Sequence, residues 1–155
     1  MHFLIKHIAK NIGISLFLII SILLTTNANS ERSDEEIIKN RKALFSKNYN
    51  TAKRVQSLSS NGDFDEAKKL MLEMSKNYKT LKEMFPDNTK EGFNTEVLPL
   101  VWEEKDKFES LMEKASSDMV ELASVIESAD NIRGTLKKLM WGNCKACHSK
   151  YREEH

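Results

Sequence analysis

The chain reads Cys144-Lys145-Ala146-Cys147-His148 near its end, and this segment contains both cysteines of the 155-residue sequence. Two thiols three positions apart on a helix reach the two vinyl groups on one edge of a haem. The residue that follows them then presents its imidazole to the iron. The segment therefore predicts one covalently bound haem c, with thioether bonds to Cys144 and Cys147 and with His148 as a ligand of the iron.

Three other uses of two cysteines at this spacing each lack something that they require. A structural zinc site needs four ligands, but there is no second cysteine pair, and His155 is the only other histidine after residue 30. A thioredoxin-like site follows a strand, and no segment has a strand pattern. A disulfide across two residues of a helix would be strained and would close a very short loop. Haem attachment is the favoured interpretation.

Four segments carry apolar residues at every third or fourth position, as amphipathic helices do, and the last of them contains the motif. They cover approximately residues 34–60, 64–85, 101–126 and 132–151. Pro86 ends the second segment, and the polar stretch that follows it is the longest connection. Helices of this matched length with short connections predict an all-α fold, an antiparallel up-down four-helix bundle.

Capping signals precede three of these segments. Ser33 and Glu36 form a capping box before the first helix, and Asp63 and Glu66 repeat the pattern before the second. We expect Asp130 to cap the fourth helix.

The first thirty residues have the three-part pattern of a secretory signal peptide. Two lysines and no acidic residue come first, the apolar run Ile12–Leu24 follows, and a short polar stretch ends the segment. The alternative is an uncleaved membrane anchor, but 13 residues are few for a bilayer that needs about 20. We expect residues 1–30 to be cleaved, which leaves residues 31–155 as a single domain in the periplasm, without membrane contact.

The charge balance argues against nucleic acid as a partner. The formal net charge is only +1, and no clustered basic face with interleaved aromatic residues is present. We also find no acid–base pair for catalysis on the side of the haem opposite His148. The sequence therefore predicts a binding protein, not an enzyme.

The motif and the helices together resemble the cytochrome c-prime family, whose members bind haem c within a four-helix bundle and usually form dimers. The resemblance covers nearly all of residues 31–155, with Gly142 one position closer to the motif than in many relatives. It implies a homodimer formed through the first two helices. The matching residues are Ile38, Arg41 and Phe45 in the first helix, Leu98, Pro99, Trp102 and Phe108 near the third, and Tyr151 and Arg152 after the motif.

The same resemblance implies roles for two residues around the haem: it places Phe45 over the open face and Arg41 near a propionate, with a surface salt bridge as the alternative for Arg41. Helical spacing places Arg152 one turn after His148, near the face that this histidine occupies, and a solvated terminal arginine is the alternative. Tyr49, one turn after Phe45, is a further candidate for the pocket, although a core or surface position would fit it equally.

The sixth position on the iron divides the family. Electron-carrying members place a methionine from the first helix there, whereas other members leave the position open. Here no methionine lies between Met1 and Met71, and the first helix has no histidine. We therefore expect five-coordinate, high-spin iron that binds NO or CO. The alternative is a periplasmic electron carrier that serves a redox partner protein.

The first test concerns the covalent bond to haem. Denaturing gel electrophoresis followed by haem staining should leave colour on the band of the wild-type protein. The Cys144→Ala, Cys147→Ala double variant should lose that colour, because no thiol remains to form a thioether. Haem that acidified organic solvent extracts from the wild type would contradict the assignment.

Overall fold

The computed structural model describes residues 33–154, so the predicted signal peptide lies outside the described residues. The chain forms an all-α bundle, which confirms the predicted fold class. Its long helices are α1 (Asp34–Asn61), α2 (Phe64–Lys82) and α3 (Lys105–Val125), and the fourth, α4, consists of α-helix Ile132–Leu136, π-helix Lys137–Trp141 and α-helix Gly142–Tyr151. Within the described range, no helix is both long enough and apolar enough to cross a bilayer.

The ends of α1 follow local signals. The hydroxyl of Ser33 accepts a hydrogen bond from the N–H of Glu36 at 3.2 Å, as predicted. Gly62 ends the helix with φ 84°, a left-handed conformation that glycine adopts without strain. Asp63 is the N-cap residue of α2, as predicted, but its side chain makes no capping hydrogen bond. Its N–H bonds instead to the carbonyl of Leu58, and this tight turn leads directly into α2.

The end of α2 and the start of the third helix are less regular than the sequence pattern predicts. The α-helical part of α2 ends at Lys82, and two tighter turns carry the chain to Pro86. The predicted third helix is interrupted: a single turn, Leu100–Glu103, precedes α3, and Glu104 between them has non-helical backbone angles. Short 3₁₀ helices at Asp87–Thr89 and Ile126–Ser128 complete the described elements.

The fourth helix departs from the prediction at its start. Asn131, not Asp130, is the cap, and its side-chain oxygen accepts a hydrogen bond from the N–H of Gly134 at 2.9 Å. The π-helical segment then widens the helix just before the motif. At Gly142, a side chain would place its Cβ 3.3 Å from the carbonyl oxygen of Lys137, so this close approach favours glycine. The unusual position of Gly142 thus coincides with altered local helix geometry.

The core lies between the four helices, and it is rich in methionine. These methionines serve as packing residues, which agrees with the plain core role that their helical spacing predicts. The largest fully buried apolar side chains are Ile38, Met71, Met74, Leu81, Met112, Met119, Leu122, Ile126 and Met140.

A buried arginine organises the long connection between α2 and α3. The Arg41 side chain, 1% exposed, donates to the carbonyl oxygens of Met84 and Thr89 and to the hydroxyls of Thr89 and Thr95, at 2.8–3.3 Å. Its guanidinium also lies 4.8 Å from the centre of the Phe85 ring. Arg41 therefore ties α1 to this connection.

The end of the same connection is joined to the end of α4. Val97 and Arg152 form an antiparallel bridge, in which Leu98 N–H donates to Tyr151 and Glu153 N–H donates to Glu96. Backbone hydrogen bonds thus fix the chain on the carboxyl side of the motif.

Arg41 provides a test of this arrangement. Arg41→Lys should lower the free energy of unfolding by on the order of 3 kcal/mol, because lysine cannot reproduce the planar set of buried donors. Urea unfolding of the purified protein measures the change. Lys42→Met is the matched control, since Lys42 bonds to Asn94 of the same connection but is exposed. We expect it to cost less than about 0.5 kcal/mol, and equal losses in both variants would contradict the role of Arg41.

Candidate haem-binding site

A cavity of about 560 Å³ opens between α1, α2, α3, α4 and the end of the long connection. Its volume is within the range typical of cofactor sites. All the site residues predicted from the sequence line this one cavity: Arg41, Phe45, Cys144, Cys147, His148 and Arg152.

The motif presents two unpaired thiols to the cavity. Cys144 and Cys147 lie one turn apart on Gly142–Tyr151, and both are free and partly buried. Burial raises the pKa of both thiols, and the neighbouring Cys144 adds to the rise that brings the pKa of Cys147 to about 11. Both thiols are therefore protonated at neutral pH.

His148 is in its neutral form. Burial lowers the pKa of its imidazole first, the positive charge of Arg152 lowers it further, and Glu96 acts in the opposite direction. A pKa below the ordinary value keeps the ring uncharged at neutral pH, with a nitrogen lone pair available to a metal. In the part of the chain that the structure describes, no three His, Cys, Asp or Glu side chains come together as a metal site.

A buried polar contact fixes the start of the motif helix. The side-chain amide of Asn143 donates to Asp118 of α3 at 2.9 Å and to the carbonyl of Leu139 at 2.8 Å. Asp118, itself buried, also pairs with Lys114. This contact orients the residue immediately before Cys144, and periodicity alone did not predict it.

A chain of aromatic rings forms an apolar wall of the cavity. Ring centres are 6.4 Å apart for Phe45 and Phe85, 4.7 Å for Phe85 and Phe108, and 5.3 Å for Phe108 and Tyr151, all edge to face. These contacts run from α1 to α4. Phe45 is the partly exposed end of the series.

The two arginines that line the cavity have buried Nε atoms without a hydrogen-bond partner among residues 33–154. Arg41 is buried, so the alternative of a surface salt bridge was wrong. Arg152 is half-buried and follows His148 by one turn. Two cationic groups with free donors match the carboxylates of haem, and the thiols and the neutral imidazole match its vinyl groups and iron. The residues present therefore fit haem c.

Sequence reasoning missed two buried polar residues of the cavity wall, Asn48 and Tyr78. Burial is the main cause that raises the pKa of the Tyr78 hydroxyl, and its interactions with Cys144 act in the same direction, so the phenol stays neutral. Asn48 lies three residues after Phe45 and seven after Arg41, and this spacing was the signal available. Tyr49 also lines the cavity, but it is 56% exposed and its ring lies 6.1 Å from that of Trp141.

The chain matches known proteins over most of its length. The family model described as Cytochrome C′ matches residues 36–152. A cytochrome c′ of Rhodopseudomonas palustris is 28% identical over 120 residues, which cover 76% of this chain and 82% of the relative. A cytochrome c-556 of Agrobacterium tumefaciens is 39% identical over 71 residues, 44% of this chain and 56% of the relative.

A solved structure agrees with these matches. The structure of cytochrome c′ from Rhodopseudomonas palustris superposes with a TM-score of 0.64 at 27% identity, and it covers 79% of this chain and 98% of its own. The resemblance predicted from the sequence is confirmed, and so is haem c as the cofactor. The chain belongs to the cytochrome c′ family of four-helix-bundle haem proteins.

Proposed function

We propose that this chain is an exported haem c protein that binds small diatomic gases, such as NO and CO, on the side of the haem opposite His148. The observation that carries the proposal is the composition of α1 along the cavity. The α1 residues that line the cavity include no methionine, histidine or cysteine; they are Arg41, Lys42, Phe45, Ser46, Asn48 and Tyr49. The first helix therefore offers none of these ligands for a sixth position.

The two cysteines and the histidine of the motif, and two arginines outside it, have distinct proposed roles. Cys144 and Cys147 hold the haem through thioether bonds, and the neutral imidazole of His148 binds the iron. When bound, haem c supplies an iron with one open coordination position. The Nε atoms of Arg41 and Arg152 have no partner among the described residues, so they are available to hydrogen-bond acceptors. These acceptors would belong to the haem or to a ligand that is released near His148.

Phe45 is proposed as the gate of the open side. Its ring contacts Phe85 edge to face and is partly exposed, so it has room to move towards solvent. A phenyl group cannot ligate iron, but it excludes water while it remains in place. A diatomic gas then enters only when the ring swings aside.

Electron transfer is the second candidate, and one observation favours it. Met112 of α3 is the one methionine among the described residues that line the cavity, and its thioether is nearly fully buried. A methionine on the iron is the ligand of electron-carrying cytochromes c. Absorption spectra of the ferric and ferrous protein distinguish the two functions, because a Met112 ligand would give low-spin, six-coordinate iron.

Export, periplasmic location and dimerisation are part of the same proposal. Residues 1–30 carry the signal pattern, and haem c suits an exported protein. The proposed homodimer through α1 and α2 rests on the family resemblance, since large exposed apolar side chains also occur outside these helices, at Phe93 and Val120. We propose reversible binding of gas, not enzymatic turnover.

Substitution of the proposed gate tests the function directly. Phe45→Ala should bind CO about tenfold faster, because displacing a packed ring costs about 1–3 kcal/mol and each 1.4 kcal/mol is a factor of ten. Stopped-flow mixing of the ferrous protein with CO measures the rate, and the resting iron should remain high-spin.

Met112→Leu is the control for this measurement. It removes the sulfur but keeps a side chain of similar volume, so the spectrum and the CO rates should not change. A low-spin wild type that becomes high-spin in Met112→Leu would favour the electron carrier. Unchanged CO rates in Phe45→Ala would refute the gate.

The size of the cavity predicts that the fold depends on haem. Engineered cavities cost about 24 cal/mol per Å³, so a space of 560 Å³ has an upper cost on the order of 10 kcal/mol. Small domains have free energies of unfolding of only about 5–15 kcal/mol. The haem-free Cys144→Ala, Cys147→Ala variant should therefore lack a native near-UV circular dichroism spectrum. Adding free haem should restore it through His148, and a fully native spectrum without haem would contradict this dependence.

A further inference from the structure

The buried face of α1 contains a polar residue that packing alone does not explain. The buried side chains of this helix recur every three or four residues, and Asn48 occupies one of these positions with only 4% of its surface exposed. Burying an amide is unfavourable unless its donors and acceptor are bonded. Asn48 therefore needs partners.

Among the described residues, only one end of the Asn48 amide has a hydrogen-bond partner. Its Oδ1 accepts a hydrogen bond from the side-chain amide of Asn77 on α2 at 2.8 Å. Its Nδ2 is buried and has no hydrogen-bond partner among the described residues. The contact with Asn77 restrains the amide and leaves the two N–H donors of Nδ2 unused.

The position of Asn48 indicates where a partner for Nδ2 would be. Asn48 lines the same cavity as Cys144 and His148, and it lies three residues after Phe45. Side chains at this spacing are neighbours on one helix face, with Cβ atoms about 5–6 Å apart. A molecule that enters past Phe45 therefore arrives beside Asn48.

We propose that Asn48 determines ligand preference in this pocket by donating a hydrogen bond from Nδ2 to the outer atom of a diatomic gas bound on the open side of the haem. The inference rests on the proposed gas-binding function. A wholly apolar pocket would not distinguish NO from CO by polarity, whereas a fixed donor favours the ligand with more negative charge on its outer atom. Asn48 then strengthens the binding of NO more than that of CO.

Asn48→Leu tests this role, with CO and NO as the probes. Leucine has a similar volume but no donor, so the C–O stretching frequency of the ferrous CO complex should rise. NO should dissociate about fivefold faster, which is the contribution of one hydrogen bond between neutral groups. CO dissociation should change less. Asn48→Ala gives the same readouts if the leucine variant does not fold.

Ser59→Ala is the matched control. Ser59 is on the same buried face of α1, and its hydroxyl is also buried without a partner, but it does not line the cavity. This variant should leave the C–O frequency and both dissociation rates unchanged. In urea unfolding without gas, Ser59→Ala should be no less stable than the wild type, whereas Asn48→Leu should lose about 1 kcal/mol with the Asn77 hydrogen bond. A change in the C–O frequency and in NO dissociation that only the Asn48 variant shows separates a ligand contact from this structural role.

The outcomes separate this inference from the proposed function. The role of Asn48 alone is overturned if the wild type binds CO but Asn48→Leu shows an unchanged or lower C–O frequency and an unchanged rate of NO dissociation. A wild type that is low-spin and does not bind CO overturns gas binding itself, and the inference with it.

Discussion

The arrangement of the cavity depends on one buried cation. Among the described residues, Arg41 bonds to neutral oxygens of Met84, Thr89 and Thr95 and contacts the face of the Phe85 ring. Burial lowers the pKa of its guanidinium to about 10, which still leaves it charged at neutral pH. Four hydrogen bonds and a ring contact offset part of the cost of burying this charge. The connection between α2 and α3 thereby becomes a wall of the cavity.

Backbone hydrogen bonds connect this wall to the helix that carries the motif. The connection ends at the bridge between Val97 and Arg152, so the same segment that Arg41 holds also holds the residues after His148. At the other end of the motif, Asn143 is bonded to Asp118 of α3. The helix that carries Cys144 and Cys147 is thus fixed at both ends by groups from outside α4, which preorganises the thiols and the imidazole.

Periodicity and motif spacing predicted the helices, the bundle and the lining of the cavity by the motif, because these features depend on local patterns of apolar residues and on i, i+3 spacing. Features that depend on the tertiary structure were not predictable. The choice of Asn131 over Asp130 as a cap depends on where α4 starts after the turn that follows α3. In the sequence, Asn48 is a polar residue on an apolar helix face, which indicates its burial. That its Nδ2 is unpaired could not be predicted, because it depends on where α2 places Asn77, the partner of Oδ1. Whether Arg41 was buried could not be decided from α1 alone.

The π-helical segment Lys137–Trp141 lies between the two α-helical parts of α4. One additional residue in a helical turn rotates everything after it by about 100° relative to a continuous α-helix. Leu136 is thus directed into the core by the part before the segment, and the cysteines face the cavity from the part after it. An insertion or deletion of one residue in this segment would therefore rotate the motif as a unit relative to Ile132–Leu136.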